Sequence, residues 1–178
     1  MDLDPIISLT LRLCLGLLFA TAASHKLRDP LAFRDTLERY ELLPTALVGP
    51  VGVTLMASEL FIAFTVLFVR ASCIAAAVVL AAYTLAIGIN LVRGRTDLGC
   101  GCMGPAASAP ISGWLVARNL VLLAVAVVAS LPHGARTLLW FDGITLVGAT
   151  ATLVALWLAS EQMLALAPML ARLRSAAR

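Results

Sequence analysis

Residues 47–92 read LVGPVGVTLMASELFIAFTVLFV, then Arg70, then ASCIAAAVVLAAYTLAIGINLV. Each apolar run exceeds the roughly 20 residues that a helix needs to cross a hydrocarbon core of about 30 Å. Backbone N–H and C=O groups in lipid must bond within their own segment, so both runs are predicted to be membrane-spanning helices. With only Arg70 between them, they must form an antiparallel hairpin closed by a tight turn.

Working outward, comparable runs at 6–24, 111–131 and 144–160 join those at 47–69 and 71–92 to make five. The 178-residue chain is 61% hydrophobic and 13% charged, with a mean hydropathy of +0.99. A soluble domain of that size cannot bury so much apolar surface, so the excess must face lipid. The expectation is an all-α integral membrane protein forming one polytopic domain over residues 1–178. Its five transmembrane helices would make a four-helix bundle core plus one peripheral helix. A formal charge of +3 is too small to point to nucleic acid, and the basic residues adjoin apolar runs as they do at membrane surfaces. Ala20-Thr21-Ala22 resembles a signal cleavage site, but Asp2 and Asp4 precede the run and further spans follow. The first helix is therefore expected to be retained.

Five crossings put the N-terminus on one face, called side B, together with the Arg70 turn and the loop holding His133 and Arg136. Side A receives the first loop, the loop at 93–110 and the C-terminal tail. Trp114 falls at the side-A boundary, and Trp140 with Phe141 at side B, as interfacial aromatics do. In the first loop, Asp29-Pro30 is an N-cap followed by a first-turn proline. Arg34/Glu38 and Asp35/Arg39 are opposite charges at (i, i+4), and Phe33, Leu37 and Tyr40 share a face. A short amphipathic helix ending before Pro44 is predicted, serving either as an interfacial connector or as a lid over the 93–110 loop. The tail from Glu161 is expected to continue as an interfacial helix.

Four cysteines divide into two kinds. Cys14 and Cys73 lie inside spans and read as small apolar fillers. Cys100 and Cys102 lie in a polar, glycine-rich loop, where Gly99, Gly101 and Gly104 ease the backbone constraint on closing a small disulfide ring. A ring that tight is strained, and strained or exposed disulfides are the oxidising, labile kind that suits exchange with a partner protein. Two thiols also bind soft metals, but zinc needs two further ligands and only His25 offers itself, so no metal site is expected. On spacing alone, redox exchange, metal binding and no special role all stay open.

Polar side chains inside the membrane are costly and mark function by default. Glu59 sits near the bilayer centre, Arg118 and Asn119 about two turns in from side A, and Asn90 close to side A. Ser24, His25 and Lys26 close the first helix on that side, while Arg12 on side B is expected to snorkel outward. One reading pairs Glu59 with Arg118 as a buried ion pair that fixes helix register. The other makes a polar pocket beneath the dithiol, where Arg118 or Lys26 favours a reactive thiolate and protons move with thiol oxidation.

These motifs together resemble the MauE family, within the broader DoxX-like group of small membrane proteins. The likeness rests on Ser24-His25-Lys26-Leu27 with Asp29-Pro30, Tyr40-Glu41-Leu42-Leu43-Pro44, and Ala57-Ser58-Glu59. It continues through Asp97-Leu98-Gly99-Cys100-Gly101-Cys102-Met103-Gly104 and Arg118-Asn119, covering about the first 120 residues. The resemblance implies a membrane thiol–disulfide oxidoreductase working with a thioredoxin-like partner on exported proteins, the client being the disulfide-rich small subunit of methylamine dehydrogenase. Cys100 and Cys102 would be catalytic, with Glu59, Arg118, Asn119, His25 and Lys26 shaping the pocket. The four-helix core is also similar to vitamin K epoxide reductase, which implies a membrane quinone as electron acceptor. The chain departs from that reductase in having C-x-C rather than C-x-x-C and no cysteine pair in the first loop.

Different classes compete with this reading. A non-catalytic membrane chaperone or scaffold would use the dithiol for local structure, and a small transporter would use Glu59 and Arg118 in its substrate path. The resemblance implies the cell inner (plasma) membrane with the cysteine loop on the extracytoplasmic face, where disulfides persist. Charge points the other way. Side A holds nine Lys/Arg near span ends (Lys26, Arg28, Arg34, Arg39, Arg93, Arg95, Arg172, Arg174, Arg178), against Arg70, Arg136 and Arg12 on side B. The extracytoplasmic placement is adopted here.

Overall fold

A computed structural model of the protein describes residues 3–95, 98, 111–134, 136–137 and 139–176, with backbone alone at 161 and 163–176. Cys100, Gly101 and Cys102 lie outside the described residues. The order is α1 (Pro5–Arg28), α2 (Pro30–Arg39), α3 (Thr45–Thr65), α4 (Arg70–Val92), α5 (Gly113–Ala129) and α6 (Trp140–Ala176). Four helices, α1, α3, α4 and the Trp140–Ser160 part of α6, are long and apolar enough to cross a membrane. α5 is equally apolar but has only 17 residues.

Local chemistry fixes several ends. Asp4 Oδ1 accepts the Ile6 N–H at 2.8 Å, with Pro5 opening α1. Asp29 serves two helices: its N–H donates to His25 O to close α1, and its carboxylate accepts the Ala32 N–H at 3.0 Å to cap α2. On α2, Phe33 is buried and Arg34–Glu38 closes at 3.2 Å on the exposed face, but no Asp35–Arg39 pair forms among the described residues. Glu41, at φ +49°, takes the left-handed conformation that reverses the chain after α2.

One sequence-derived boundary is corrected. The α3–α4 turn is Val66–Val69, and Arg70 is the first residue of α4 rather than the turn itself. The last turn tightens through N–H groups of Phe68 and Val69 onto Thr65 O at 3.0 and 2.8 Å, and a hydrogen bond of 2.7 Å joins the Thr65 and Ser72 hydroxyls across it. At the other end of the chain, α6 runs 37 residues without interruption, so the helix continues through the tail from Glu161 as expected.

α1 packs against α3, α5 and α6, while α4 packs against α5 and α3. Gly16 lets α1 approach α3 closely, since a Cβ there would stand 3.3 Å from Val66 Cγ1. One core layer gathers Leu15, Phe19, Ile62, Val66, Cys73 and Ala126; a second gathers Tyr40, Ile87, Leu98, Ile111 and Leu115. Phe61, Phe64, Phe68, Val78, Leu85 and Ile144 point outward, as a lipid-facing surface requires.

Hydrogen bonds define the two ends of the helix assembly. Leu3 bridges to the α5–α6 loop through Pro132 O at 3.1 Å and Gly134 N–H at 3.0 Å, placing the N-terminus beside His133. At the opposite end, the Ile111 N–H donates to Leu98 O at 3.1 Å, joining the described residues on either side of the cysteine loop.

Candidate functional site

The last turn of α1 carries Lys26 inward and His25 outward, because neighbours on a helix point about 100° apart. α3 supplies Glu59 and α4 supplies Tyr83. Lys26 is 3% exposed and Glu59 1%. Lys26 Nζ donates to Glu59 Oε1 and, at 2.8 Å, to the Tyr83 hydroxyl, which in turn donates to Glu59 Oε1 at 2.6 Å. The ring closes without leaving the charged nitrogen bare. The ammonium also lies 4.7 Å from the ring centroids of Phe33 and Tyr83.

Phe33 reaches this position from α2. Gly52 on α3 permits the approach, since a Cβ there would meet Leu37 Cδ1 at 3.3 Å and Phe33 Cε1 at 3.9 Å. Tyr40, at the end of α2, packs in the layer that holds Leu98 and Ile111. One short helix therefore touches both the charged cluster and the base of the cysteine loop.

The structure redraws the expected pairings. Glu59 pairs with Lys26, not with Arg118, whose guanidinium stacks 5.1 Å from the Trp157 ring on α6. Glu59 and Arg118 diverge because α3 packs on α1, α2 and α4, while Arg118 turns toward α6. His25 is exposed and leaves the pocket; Asn90 and Asn119 are buried. Asn90 Nδ2 donates to Ala86 O at 3.1 Å, a bond within its own helix. Arg12 does not snorkel: it is 4% exposed, and its Nε donates to Ala129 O at 3.4 Å. The early end of α5 puts free carbonyls within its reach.

Tyr83 escaped the reading of the sequence. Its signal was a single phenol in an alanine- and leucine-rich span, where a hydroxyl needs a partner. At the other end of the assembly, Arg136 holds Asp142 through two bonds of 2.9 and 3.0 Å and Asp4 at 3.2 Å. The bonds to Asp142, then Asp4, raise the guanidinium's pKa and keep it charged.

The cluster offers Glu59 Oε2, a buried acceptor with no partner among the described residues. A quinone's carbonyl oxygens need donors; two of the three Lys26 N–H groups are engaged by Glu59 Oε1 and the Tyr83 hydroxyl, and the Tyr83 O–H is turned to Glu59 Oε1. What it does hold is a buried ion pair bridged by a phenol hydroxyl.

The sequence model for the MauE family, described as methylamine utilisation protein MauE, matches residues 4–132. The chain belongs to the MauE family. That match covers α1 to α5 and every residue of the cluster, and stops before α6. The methylamine utilization protein MauE of Paracoccus denitrificans is 39% identical over 162 residues, covering 85% of each chain. The MauE of Methylophilus methylotrophus is 35% identical over 166 residues, covering 90% of this chain and 87% of its own. That of Paracoccus versutus is 35% identical over 130 residues, covering 71% and 70%. No solved structure matches the chain. With its four long apolar helices, this MauE member is a multi-pass membrane protein.

Proposed function

We propose that the protein is a membrane thiol–disulfide oxidoreductase of methylamine utilisation, with Cys100 and Cys102 as its exchanging thiols. The observation that carries the reading is the buried Lys26–Glu59–Tyr83 cluster, linked through α2 to the base of the loop that bears those cysteines. In this reading α5 also crosses the membrane, making five spans in the inner membrane, with the cysteine loop on the extracytoplasmic face.

Oxidised Cys100–Cys102 is attacked by a thiolate of a thioredoxin-like partner, which forms a mixed disulfide and releases one thiolate of the pair. The partner's second thiolate then resolves it, leaving the partner oxidised and the pair reduced by two electrons. The oxidised partner goes on to form disulfides in an exported client of the methylamine dehydrogenase type. Lys26 and Glu59 compensate the charge that appears on the loop, and Arg118 and Asn119 shape the buried polar wall on α5.

Single Cys100→Ser and Cys102→Ser variants test the proposal. Each is expected to abolish maturation of the client, and one of them to accumulate a mixed disulfide whose captured protein can be identified. Maturation retained in both variants would overturn it in favour of a non-catalytic scaffold.

A further inference from the structure

The side-B end carries charge that thiol exchange does not use. Arg12 is 4% exposed, yet no carboxylate pairs with it among the described residues. Its bond from Nε to Ala129 O is long at 3.4 Å, and its buried Nη2 has no partner among the described residues. Arg70, opening α4, donates from Nε and Nη2 to the next carbonyl, Ser130 O, at 3.3 and 2.8 Å. Two guanidiniums thus converge on consecutive carbonyls where α5 ends.

Nothing described at that end balances them. Asp4 and Asp142 are both committed to Arg136. A guanidinium cannot shed its proton, and a buried one such as Arg12 is ordinarily paired, whereas Arg70 is exposed beside it. The α5 C-terminus offers about half an elementary charge, which falls short of two cations. Ser8, four residues before Arg12 on the same face of α1, is 2% exposed and its Oγ is a further buried group without a partner. Two guanidiniums and a hydroxyl make a donor set suited to an oxyanion, which arginine binds through paired N–H groups.

The length of α5 points to the source of that oxyanion. Seventeen residues rise only about 25 Å, less than a hydrocarbon core of about 30 Å, and short spans draw the headgroup layer inward. We propose that Arg12, Arg70 and Ser8 bind the phosphate of an anionic phospholipid in the side-B leaflet. Cys73, fully buried and three residues after Arg70 on α4, serves as a control for packing at this end.

The experiment uses the full-length protein, purified in neutral detergent and stripped of lipid. Native mass spectrometry follows titration with phosphatidylglycerol or phosphatidylcholine, and melting is followed separately with inorganic phosphate. The expected result is one phosphatidylglycerol bound at least about tenfold more tightly than phosphatidylcholine, a factor well within one charge-assisted contact. That preference is lost in Arg12→Met and in the exposed-site variant Arg70→Ala, and kept in Cys73→Ala. Equal binding of both lipids, a preference unchanged in Arg70→Ala, or a preference lost in Cys73→Ala overturns the proposal. An arginine-dependent rise in melting temperature with inorganic phosphate, without headgroup preference, overturns the lipid assignment and leaves a free-phosphate site.

Discussion

Lys26 illustrates how much of a buried site depends on direction rather than depth. Glu59 was legible from the sequence as a charge near the bilayer centre, but its partner was not. Sequence spacing gives a residue's height along a helix; which neighbour it meets depends on how the helices are turned. The structure turns Lys26 in and His25 out, and brings Tyr83 from α4 to complete the ring. Removing one member of a buried pair leaves the other uncompensated, at a cost of about 3–5 kcal/mol. Glu59→Ala is therefore expected to destabilise the protein by that order in a detergent unfolding titration. The apolar double variant Lys26→Met/Glu59→Leu should recover most of the loss, because it removes both charges together. A double variant no more stable than Glu59→Ala would show that the pair does not act as a unit. Tyr83→Phe keeps the ring over Lys26 and deletes only the hydroxyl, so the expected loss is smaller, about 1.5–3 kcal/mol for bonds to charged groups.

Helix periodicity and capping made α2 legible almost to the residue, since Asp29, Pro30 and the Phe33–Leu37–Tyr40 face all agree with one short helix. The long spans were legible for the same reason, each being apolar well beyond a single turn. The continuation of α6 past its apolar run was legible too. Hydropathy falls after Ser160, but Glu161, Gln162, Met163, Leu164 and Ala165 are all strong helix formers, so the backbone continues where the apolar run stops. The α3–α4 turn was legible but was placed a few residues late, at Arg70, because Val66–Val69 is as apolar as the helix before it. For α2, Asp29→Ala removes the cap at a cost of about 1 kcal/mol. Hydrogen exchange across residues 30–39 is expected to quicken roughly fivefold, following that energy. Exchange that quickens throughout α1 as well would mean that Asp29 matters more as the end of α1 than as the cap of α2.

For the whole molecule, the contested quantity is which face the cysteine loop occupies. Counting Lys and Arg near span ends favours a cytoplasmic loop, but the structure alters what is being counted. Lys26 is buried against Glu59 within the helix assembly and is no longer a loop charge. Arg34 and Arg95 are held by Glu38 and Glu41 at 3.2 and 2.8 Å, although acidic partners weigh little during insertion. At the other end, Arg12 and Arg70 have no carboxylate partner among the described residues, and in the proposed orientation they would face the inner leaflet, whose anionic lipids attract basic side chains. Eight Lys/Arg remain at side A against three at side B, so the charge count still favours a cytoplasmic loop, and the proposed extracytoplasmic placement rests on the redox reading, since a disulfide persists outside the cytosol. After mild reduction of intact cells, an impermeant maleimide is expected to label Cys100 and Cys102, while Cys14 and Cys73, inside the spans, stay unlabelled. Labelling of the loop only after permeabilisation would reverse the orientation. The thiol partner would then have to be cytosolic, and the anionic-lipid site at Arg12 and Arg70 would face the outer leaflet.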